Sequence, residues 1–313
     1  MLSRIADALF WLNRYMERAD GLLRTTSTHF TLSLDKGVNG PLNWRPLLET
    51  YVPGNEAEIS ALENDTQGAL QKLITDTGNH NSLRILISKA RENARGVQDH
   101  ITKEMWEEVN QLYHVVNHPA LNNRLNAHQA MDVLGLLSRH CVMYNGITDI
   151  TMARGTGWSF MNIGKYLERS LETILLTDKQ FGRIGYRMDD AQDIMQWRYL
   201  LLSLSGYELH LKSYRSVHYN KNVLQQVLIN RDFTRSVIYS LNRIEKHLKD
   251  IPTDNQNADH IRLCSNFGRL FSKVQYLDFD TLNNQTLRPF LAELQTDLST
   301  FGQLLGQHFF SYS

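Results

Sequence analysis

The sequence predicts an all-α protein, a multi-helix bundle built from two tandem pseudo-symmetric helical repeats that share one core. Apolar residues recur every three or four positions along most of the 313 residues, as they do on one face of a helix. The six prolines leave residues 54 to 118 and 120 to 251 without any, so long helices are permitted there. No alternating pattern of useful length indicates a strand.

The predicted helices follow this spacing in order. The first apolar stripe covers 2–23, and the longest covers 83–116, which predicts either one helix of more than about thirty residues or two helices with a slight break. Pro41, Pro46 and Pro53, with neighbouring glycines, predict irregular chain around a brief helical piece. The remaining stripes predict helices around 131–144, 163–174, 194–214, 241–248, 261–274 and 287–301.

Three landmarks recur in the same order in the two halves of the chain. They are Tyr15-Met16-Glu17-Arg18 with Tyr166-Leu167-Glu168-Arg169, 151 positions on; Trp44-Arg45 with Trp197-Arg198, 153 on; and the helix-opening Ser82-Leu83 with Ser236-Val237, 154 on. This spacing predicts repeats near 1–152 and 153–313 within a single helical domain, 1–313. Packed face to face, such repeats would form one continuous core.

Charge and cysteine content exclude several classes of protein. With 33 basic and 33 acidic residues, the zero formal net charge argues against nucleic acid and anionic membranes as partners. Cys141 and Cys264 lie among apolar neighbours, which predicts two buried thiols and no disulfide. No stretch is apolar enough to span a membrane, and the N-terminal segment lacks the features of a signal peptide. We expect a cytoplasmic protein.

Standard catalytic and cofactor motifs are absent from the sequence. There is no phosphate loop, nucleophile elbow, HExxH motif or paired CxxC, and we expect no cofactor. The glycines of Arg154-Gly155-Thr156-Gly157-Trp158 are interpreted as a break before the second repeat. His114 and His118 share a helix face, but no third ligand can be nominated, so no metal is predicted.

The two Glu-Arg pairs are the main candidate site. Each glutamate has a cation three residues before it, Arg14 for Glu17 and Lys165 for Glu168. One interpretation is structural: ion pairs of Glu17 with Arg169 and of Glu168 with Arg18 fix the packing of equivalent helices. The other is functional: the four charges, with Tyr15 and Tyr166, line a polar site. There arginine binds a carboxylate or phosphate, and glutamate receives an amine or acts as a base.

A second polar cluster lies on the long stripe. Arg91 and Arg95 share one helix face, as do Glu104 and Glu108, and Glu92 lies beside them. The simpler interpretation is a solvated helix face with segregated charge. The alternative is that these side chains point into a groove between the repeats.

Several motifs together resemble one known family. They are WLNRYMERAD at 11–20, ARENAR at 90–95 with EMWE at 104–107, GWSF and YLER within 157–169, and WR at 197–198 with SLSGYE at 203–208. Over essentially its whole length the chain resembles the alpha-E domain family, a bacterial all-helical family named for its Glu-Arg motif. The chain departs from a strict repeat at Ser170, which stands where the first half has Ala19.

The resemblance implies partners rather than a reaction. It implies a circularly permuted ATP-grasp protein as partner, together with a transglutaminase-like peptidase, in systems that make or modify peptides by forming amide bonds. The motif residues carried over are Glu17, Arg18, Glu168 and Arg169, with Arg91, Glu92 and Arg95.

Three hypotheses of function follow. The first is a non-catalytic helical protein that docks on an ATP-grasp amidoligase or presents substrate to it. The second is an enzyme acting on a small peptide or amide, with Glu17 or Glu168 as base and the arginines holding a carboxylate. The third is a helical metal protein using His114 and His118. The sequence leaves homo-oligomerisation open.

Overall fold

The fold is entirely helical in the part of the chain that the computed structural model describes, residues 2–34, 43–52, 54, 56–126, 128–188, 194–214, 218–252 and 257–310. This confirms the predicted all-α class. The α-helices of the described residues are α1 (Ser3–Leu34), α2 (Arg45–Tyr51), α3 (Glu56–Leu62), α4 (Thr66–Ile74), α5 (Leu83–Gly96), α6 (Lys103–Val116), α7 (Leu121–Arg124), α8 (Ala130–Thr151), α9 (Thr156–Arg183), α10 (Ile194–Ser203), α11 (Tyr207–Ser213), α12 (Tyr219–Ile229), α13 (Val237–Lys249), α14 (Ala258–Gln275) and α15 (Leu287–Phe309).

The chain divides into two compact units. One is Trp11–Ala153, and the other combines the described residues of Met1–Phe10 and Arg154–Ser313. The division after Ala153 falls beside the predicted repeat boundary. Helix α1 begins in one unit and continues in the other. The predicted pseudo-symmetry and the single shared core stay predictions.

The unit Trp11–Ala153 is organised around α6, which packs against both α5 and α8. The three helices bury apolar stripes at the predicted spacing, and each fully buried leucine or valine contributes about 1.5–3 kcal/mol to folding. The buried residues are Leu83, Leu86, Ile87, Ala90 and Ala94 of α5, Met105, Val109, Leu112 and Val116 of α6, and Val133, Leu134, Leu137, Cys141 and Tyr144 of α8.

The long stripe at 83–116 forms two helices, which settles the alternative that the sequence left open. Helix α5 ends at Gly96, and a 3₁₀ turn at Gln98–His100 follows. The Thr102 hydroxyl then accepts a hydrogen bond from the Met105 N–H at 3.3 Å and caps α6. The break lets α5 and α6 pack against each other, which a single straight helix could not do.

In the other unit, α9 packs against α13 and α15, and α14 packs against α15. Gly302 permits a close approach of α15 to α9, because a Cβ there would lie 3.1 Å from a Leu167 methyl group. Phe10, from the start of α1, packs its ring 5.2 Å from that of Phe310. The first turns of α1 thus contribute to the core of this unit.

The prediction that both thiols are buried is wrong for Cys264. Cys141 is buried, but Cys264 is exposed on α14, and Ile261 is 54% exposed. The helix buries a neighbouring face, made of Leu263, Phe267, Leu270 and Val274. The sequence contained two overlapping apolar stripes there, and the interpretation followed the wrong one.

The recurring serines have matching local structure. Ser82 and Ser236 each cap a helix, accepting hydrogen bonds from Ile85 and Tyr239 N–H groups at 3.4 and 3.1 Å. These contacts confirm that both serines open helices.

The recurring tryptophans have matching contacts inside their own units. The Trp44 ring lies 4.6 Å from His29, and its indole N–H donates to Thr66. The Trp197 ring lies 4.7 Å from Phe181, and its N–H donates to Asn220. In each case the neighbour comes from the long helix before the tryptophan, and the acceptor comes from a helix after it.

Within the described residues, no helix combines the length and the apolar character needed to cross a bilayer. Pro41 and Pro53, in the segment predicted to be irregular, lie outside the described residues. Pro46 lies in the first turn of the short helix α2, as predicted for a brief helical piece.

We predict that Ser82→Ala lowers the free energy of unfolding by about 1 kcal/mol, because the first turn of α5 loses its cap. Ser82→Gly should cost only a few tenths of a kcal/mol, since glycine is tolerated at this position. Urea unfolding of both variants checks the prediction. Equal stability of Ser82→Ala and the natural protein would contradict the capping role.

Candidate functional site

The first Glu-Arg motif lies on α1 and separates its two charges. Glu17 is buried, with 2% of its surface exposed, whereas Arg18 is half-buried. The Arg18 guanidinium lies 6.0 Å from the centroid of the Tyr15 ring. Residues three apart share a helix face and residues two apart do not, so tyrosine and arginine lie together while glutamate points elsewhere.

The same face of α1 carries a second cation–aromatic pair. The Arg14 guanidinium lies 4.5 Å from the Trp11 ring, and this ring stacks on Tyr15 at 5.4 Å. Arg14, the cation three residues before Glu17, thus lies against Trp11. Helix spacing explains the grouping, because positions 11, 14, 15 and 18 form a continuous strip.

Lys89 completes this group from α5, and sequence reasoning missed it. Its ammonium nitrogen lies 5.6 Å from the Tyr15 ring, on a helix distant in sequence from the motif. We call Trp11, Arg14, Tyr15, Arg18 and Lys89 the first cation–aromatic cluster. Lys89 could have been found from the repeat, since it precedes Arg243 by 154 positions, the same spacing that relates Ser82 to Ser236.

The second Glu-Arg motif, on α9, repeats this separation of charges. Glu168 is buried, with 7% of its surface exposed. The half-buried Arg169 lies with its guanidinium 5.2 Å from the Tyr166 ring and donates a hydrogen bond to the Thr234 carbonyl at 3.3 Å. Lys165, the cation three residues before Glu168, is half-buried on α9.

Helix α13 adds two residues to this motif, and sequence reasoning missed both. The Tyr239 ring meets that of Tyr166 edge to face at 6.2 Å. Arg243 donates a hydrogen bond to the Tyr239 hydroxyl at 2.9 Å, and this bond raises the pKa of Arg243. We call Tyr166, Arg169, Tyr239 and Arg243 the second cation–aromatic cluster.

The buried thiol of Cys141 lies near the carboxylates of the first motif, in the same unit. Cys141 of α8 has a pKa raised well above its usual range, first by burial and then by the negative charges of Asp20, Glu17 and Glu108. The thiol therefore stays protonated, which disfavours a nucleophilic role. Asp20 forms an ion pair with Arg24 along α1. The carboxylates of α1 and α6 thus approach one buried point on α8.

Glu108 and His140 form a buried pair within this group. The Glu108 carboxylate lies 2.7 Å from Nδ1 of His140, and both side chains are almost inaccessible. Nearby, the Tyr144 hydroxyl donates to the buried Asn13 amide oxygen at 2.7 Å. Both contacts provide a partner for a polar group removed from water.

The residues of the second polar cluster lie in three settings. Arg91 donates to the Asn110 side chain at 2.7 Å, and its guanidinium lies 4.4 Å from the Tyr113 ring and 5.6 Å from the Trp106 ring. Glu108 is buried against His140, as described above. Glu92, Arg95 and Glu104 are exposed.

The histidines considered as metal ligands do not gain a third partner. His114 and His118 both line a largely apolar pocket between α6 and α8. Among the described residues, no group of three or more His, Cys, Asp or Glu side chains is arranged to hold a metal ion. The third hypothesis therefore gains no support from the geometry.

The glycine break before α9 leads to a buried imidazole that the sequence did not reveal. The Arg154 guanidinium lies 3.7 Å from the Trp158 ring, and Trp158 meets His247 of α13 edge to face at 6.5 Å. Burial lowers the pKa of His247 to about 4, helped by Lys246, Arg243 and Arg154 and opposed by Asp250. His247 is thus held neutral in cationic surroundings.

These features define an all-helical class of protein whose Glu-Arg motifs bury the glutamate and place the arginine beside a tyrosine ring. The chain belongs to the Alpha-E family, described as a predicted alpha-helical domain with a conserved ER motif, which matches residues 1–310. The resemblance inferred from the motifs is thereby confirmed.

The chain is also similar to uncharacterized proteins of Mycobacterium bovis and of two strains of Mycobacterium tuberculosis. It is 21% identical to each, over 93% of this chain and 34% of the relative. The chain therefore spans about a third of the length of these relatives. No solved structure matches it.

We predict that Glu108→Ala lowers the free energy of unfolding by about 1–3 kcal/mol, because it leaves buried His140 Nδ1 without its partner. Glu108→Gln, which keeps an amide within reach of the ring, should cost clearly less. Thermal and urea unfolding compare the two variants. Equal losses would show that neither the volume nor the hydrogen-bonding capacity of the amide replaces the carboxylate, and would contradict this prediction.

We predict that His247 makes the protein less stable as the pH falls from about 6.5 to about 4. Its folded-state pKa lies below the ordinary value of 6.5, so the unfolded chain binds the proton first over this range. The loss should approach about 1.4 kcal/mol per pH unit.

Urea unfolding at about pH 7 and about pH 5, with His247→Leu as the comparison, isolates this contribution from those of other groups. The variant removes the titrating ring and should lose less stability than the natural protein on acidification. Parallel losses in the two proteins would contradict the assignment to His247.

Proposed function

We propose that this chain is a non-catalytic helical binding protein that recognises carboxylate groups and acts with an ATP-grasp amidoligase in forming or modifying amide bonds. One observation carries the proposal: both Glu-Arg motifs bury the glutamate and place the arginine beside a tyrosine at the half-exposed edge of the helix. The arginine of each motif is thus less buried than the glutamate beside it.

The chemistry of the two clusters suits a carboxylate. A guanidinium has five N–H donors, so an arginine beside an aromatic ring can also bind a carboxylate through the edge of its planar group. Each cluster also supplies a second cation from another helix, Lys89 in the first and Arg243 in the second. In the first cluster both cations lie beside the Tyr15 ring, and in the second each arginine lies beside its own tyrosine, Tyr166 or Tyr239. Two cations in one cluster favour a negatively charged ligand over a neutral one.

The burial of the glutamates supports a binding role over the enzymatic alternative. A general base has to come within hydrogen-bond reach of the proton that it removes. Glu17 and Glu168 expose only 2% and 7% of their surfaces, so neither is offered to a ligand at the surface of its helix. The absence of standard catalytic motifs from the sequence points the same way.

The choice of partner rests on membership of the Alpha-E family and on chemical fit. An amidoligase joins a carboxylate to an amine, so a protein that holds carboxylates could present its substrate. We propose a circularly permuted ATP-grasp protein as the partner, with a transglutaminase-like peptidase as a further one. The same proposal places the chain in the bacterial cytoplasm, as two tandem repeats sharing one core.

Copurification from the native organism tests this function. The bait is the natural protein or the variant Arg18→Gln/Arg169→Gln, which removes one arginine from each cluster. If each arginine makes a charge-assisted hydrogen bond worth about 1.5–3 kcal/mol, recovery of the ATP-grasp protein should fall roughly tenfold or more.

The matched control is Arg139→Gln/Arg262→Gln, which removes the same charge from one exposed arginine in each unit. The control should recover the partner like the natural protein. Circular dichroism and thermal unfolding establish that all three proteins are folded. Recovery by the Arg18/Arg169 variant equal to that of the control, or failure of the natural protein to retain any ATP-grasp protein, would contradict the proposal.

A further inference from the structure

A pocket in the unit Trp11–Ala153 shares no residue with either cation–aromatic cluster. It is formed by α6, α7 and α8 and has a volume of about 390 Å³. Its walls are mainly apolar and include Val115 of α6, Leu121 of α7, and Val133 and Leu136 of α8. This volume falls within the roughly 300–1,000 Å³ of small-molecule sites, which are typically apolar with a few polar groups that orient the ligand.

The polar groups of the pocket include a cation with no charged partner. Arg124, exposed at the end of α7, makes no hydrogen bond or ion pair with any described residue. Among the described residues that line the pocket, none is an aspartate or glutamate. A positive charge therefore lies at the edge of an apolar cavity without an internal counter-ion.

His118 adds a directed donor at the same place. Its Nδ1 accepts a hydrogen bond from the Ala120 backbone N–H at 3.2 Å. In the neutral ring this acceptor nitrogen carries no proton, so the proton lies on Nε2 and that atom is a donor. The backbone turn between α6 and α7 thus fixes which side of the imidazole is available to a ligand.

We propose that this pocket binds a small carboxylic acid with an apolar tail. The tail lies against Val115, Leu121, Val133 and Leu136, and the carboxylate binds the Arg124 guanidinium with Nε2–H of His118 as a second donor. An amine of the same length lacks this complementarity, since it would bring a positive charge to Arg124. The inference shares no residue with the Glu-Arg motifs, so it stands or fails independently of the proposed function.

The test uses the full chain with isotope-labelled isoleucine, leucine and valine methyl groups, titrated with octanoate and observed by NMR. We expect saturable shifts of the methyl signals of Val115, Leu121, Val133 and Leu136. Leu294, buried in the other unit, serves as the internal reference and should not respond. Octylamine has the same tail and the opposite charge. Its affinity should be lower than that of octanoate by roughly tenfold or more.

Arg124→Gln tests the charged contact directly. Because Arg124 is exposed and unpaired among the described residues, the variant should stay folded. We expect it to weaken octanoate binding by roughly tenfold or more and to strengthen octylamine binding, because the repulsion from Arg124 is removed. The matched control Arg95→Gln removes an exposed arginine that does not line the pocket, and it should bind octanoate like the natural protein.

The proposal is overturned by any of three results: no saturable shift at the four pocket residues, equal binding of octanoate and octylamine, or equal octanoate affinity in Arg124→Gln and Arg95→Gln. The proposal is supported if the pocket methyl signals shift saturably and prefer octanoate in the natural protein and in Arg95→Gln, and if both properties are lost in Arg124→Gln. Unfolding curves of both variants confirm that a loss of binding is not a loss of structure.

Discussion

The angular spacing of residues on an α-helix governs how the Glu-Arg motifs of this protein work. Each residue turns about 100° from the last, so in Tyr-x-Glu-Arg the tyrosine and arginine lie within about 60° of each other and the glutamate lies on the far side. A helix that buries its glutamate therefore has to bring tyrosine and arginine together at its edge. Both motifs follow this rule, and the rest of each cluster is built around the tyrosine ring.

Burying a carboxylate also limits the composition of the core around it. In the unit Trp11–Ala153, α1, α6 and α8 place polar side chains in the buried core, where they contact one another. Glu108 meets His140, and Tyr144 meets Asn13, each at 2.7 Å. Such contacts have strict geometry, so they fix the relative position of α1, α6 and α8 more tightly than apolar packing does.

The sequence allowed the fold class, most helices and the helix starts at Ser82 and Ser236 to be predicted, because periodicity and caps are local signals. It misled at Cys264, where two apolar stripes overlap on one helix and only packing against α15 decides which is buried. The tyrosine and arginine of each motif were found because they lie only three residues apart in sequence. Lys89, Tyr239 and Arg243 were missed because they reach the motifs from other helices, through contacts that no local pattern encodes. His247 was missed for the same reason: its surroundings come from α13 and from the chain before α9.

The division of α1 between the two units has a consequence for chain topology. Residues 3–10 belong with Arg154–Ser313, and the remainder of the helix belongs with the intervening segment. A gene fragment ending at Ala153 would therefore encode one unit together with a piece of the other. A fragment starting at Arg154 would encode an incomplete unit. The downstream fragment would lack the ring of Phe10, which packs on Phe310, together with buried Ala6 and Leu9. The upstream fragment would carry those apolar side chains uncovered at its start. A permuted chain, in which residues 1–10 are moved to precede Arg154, would make the unit of residues 1–10 and 154–313 continuous in sequence.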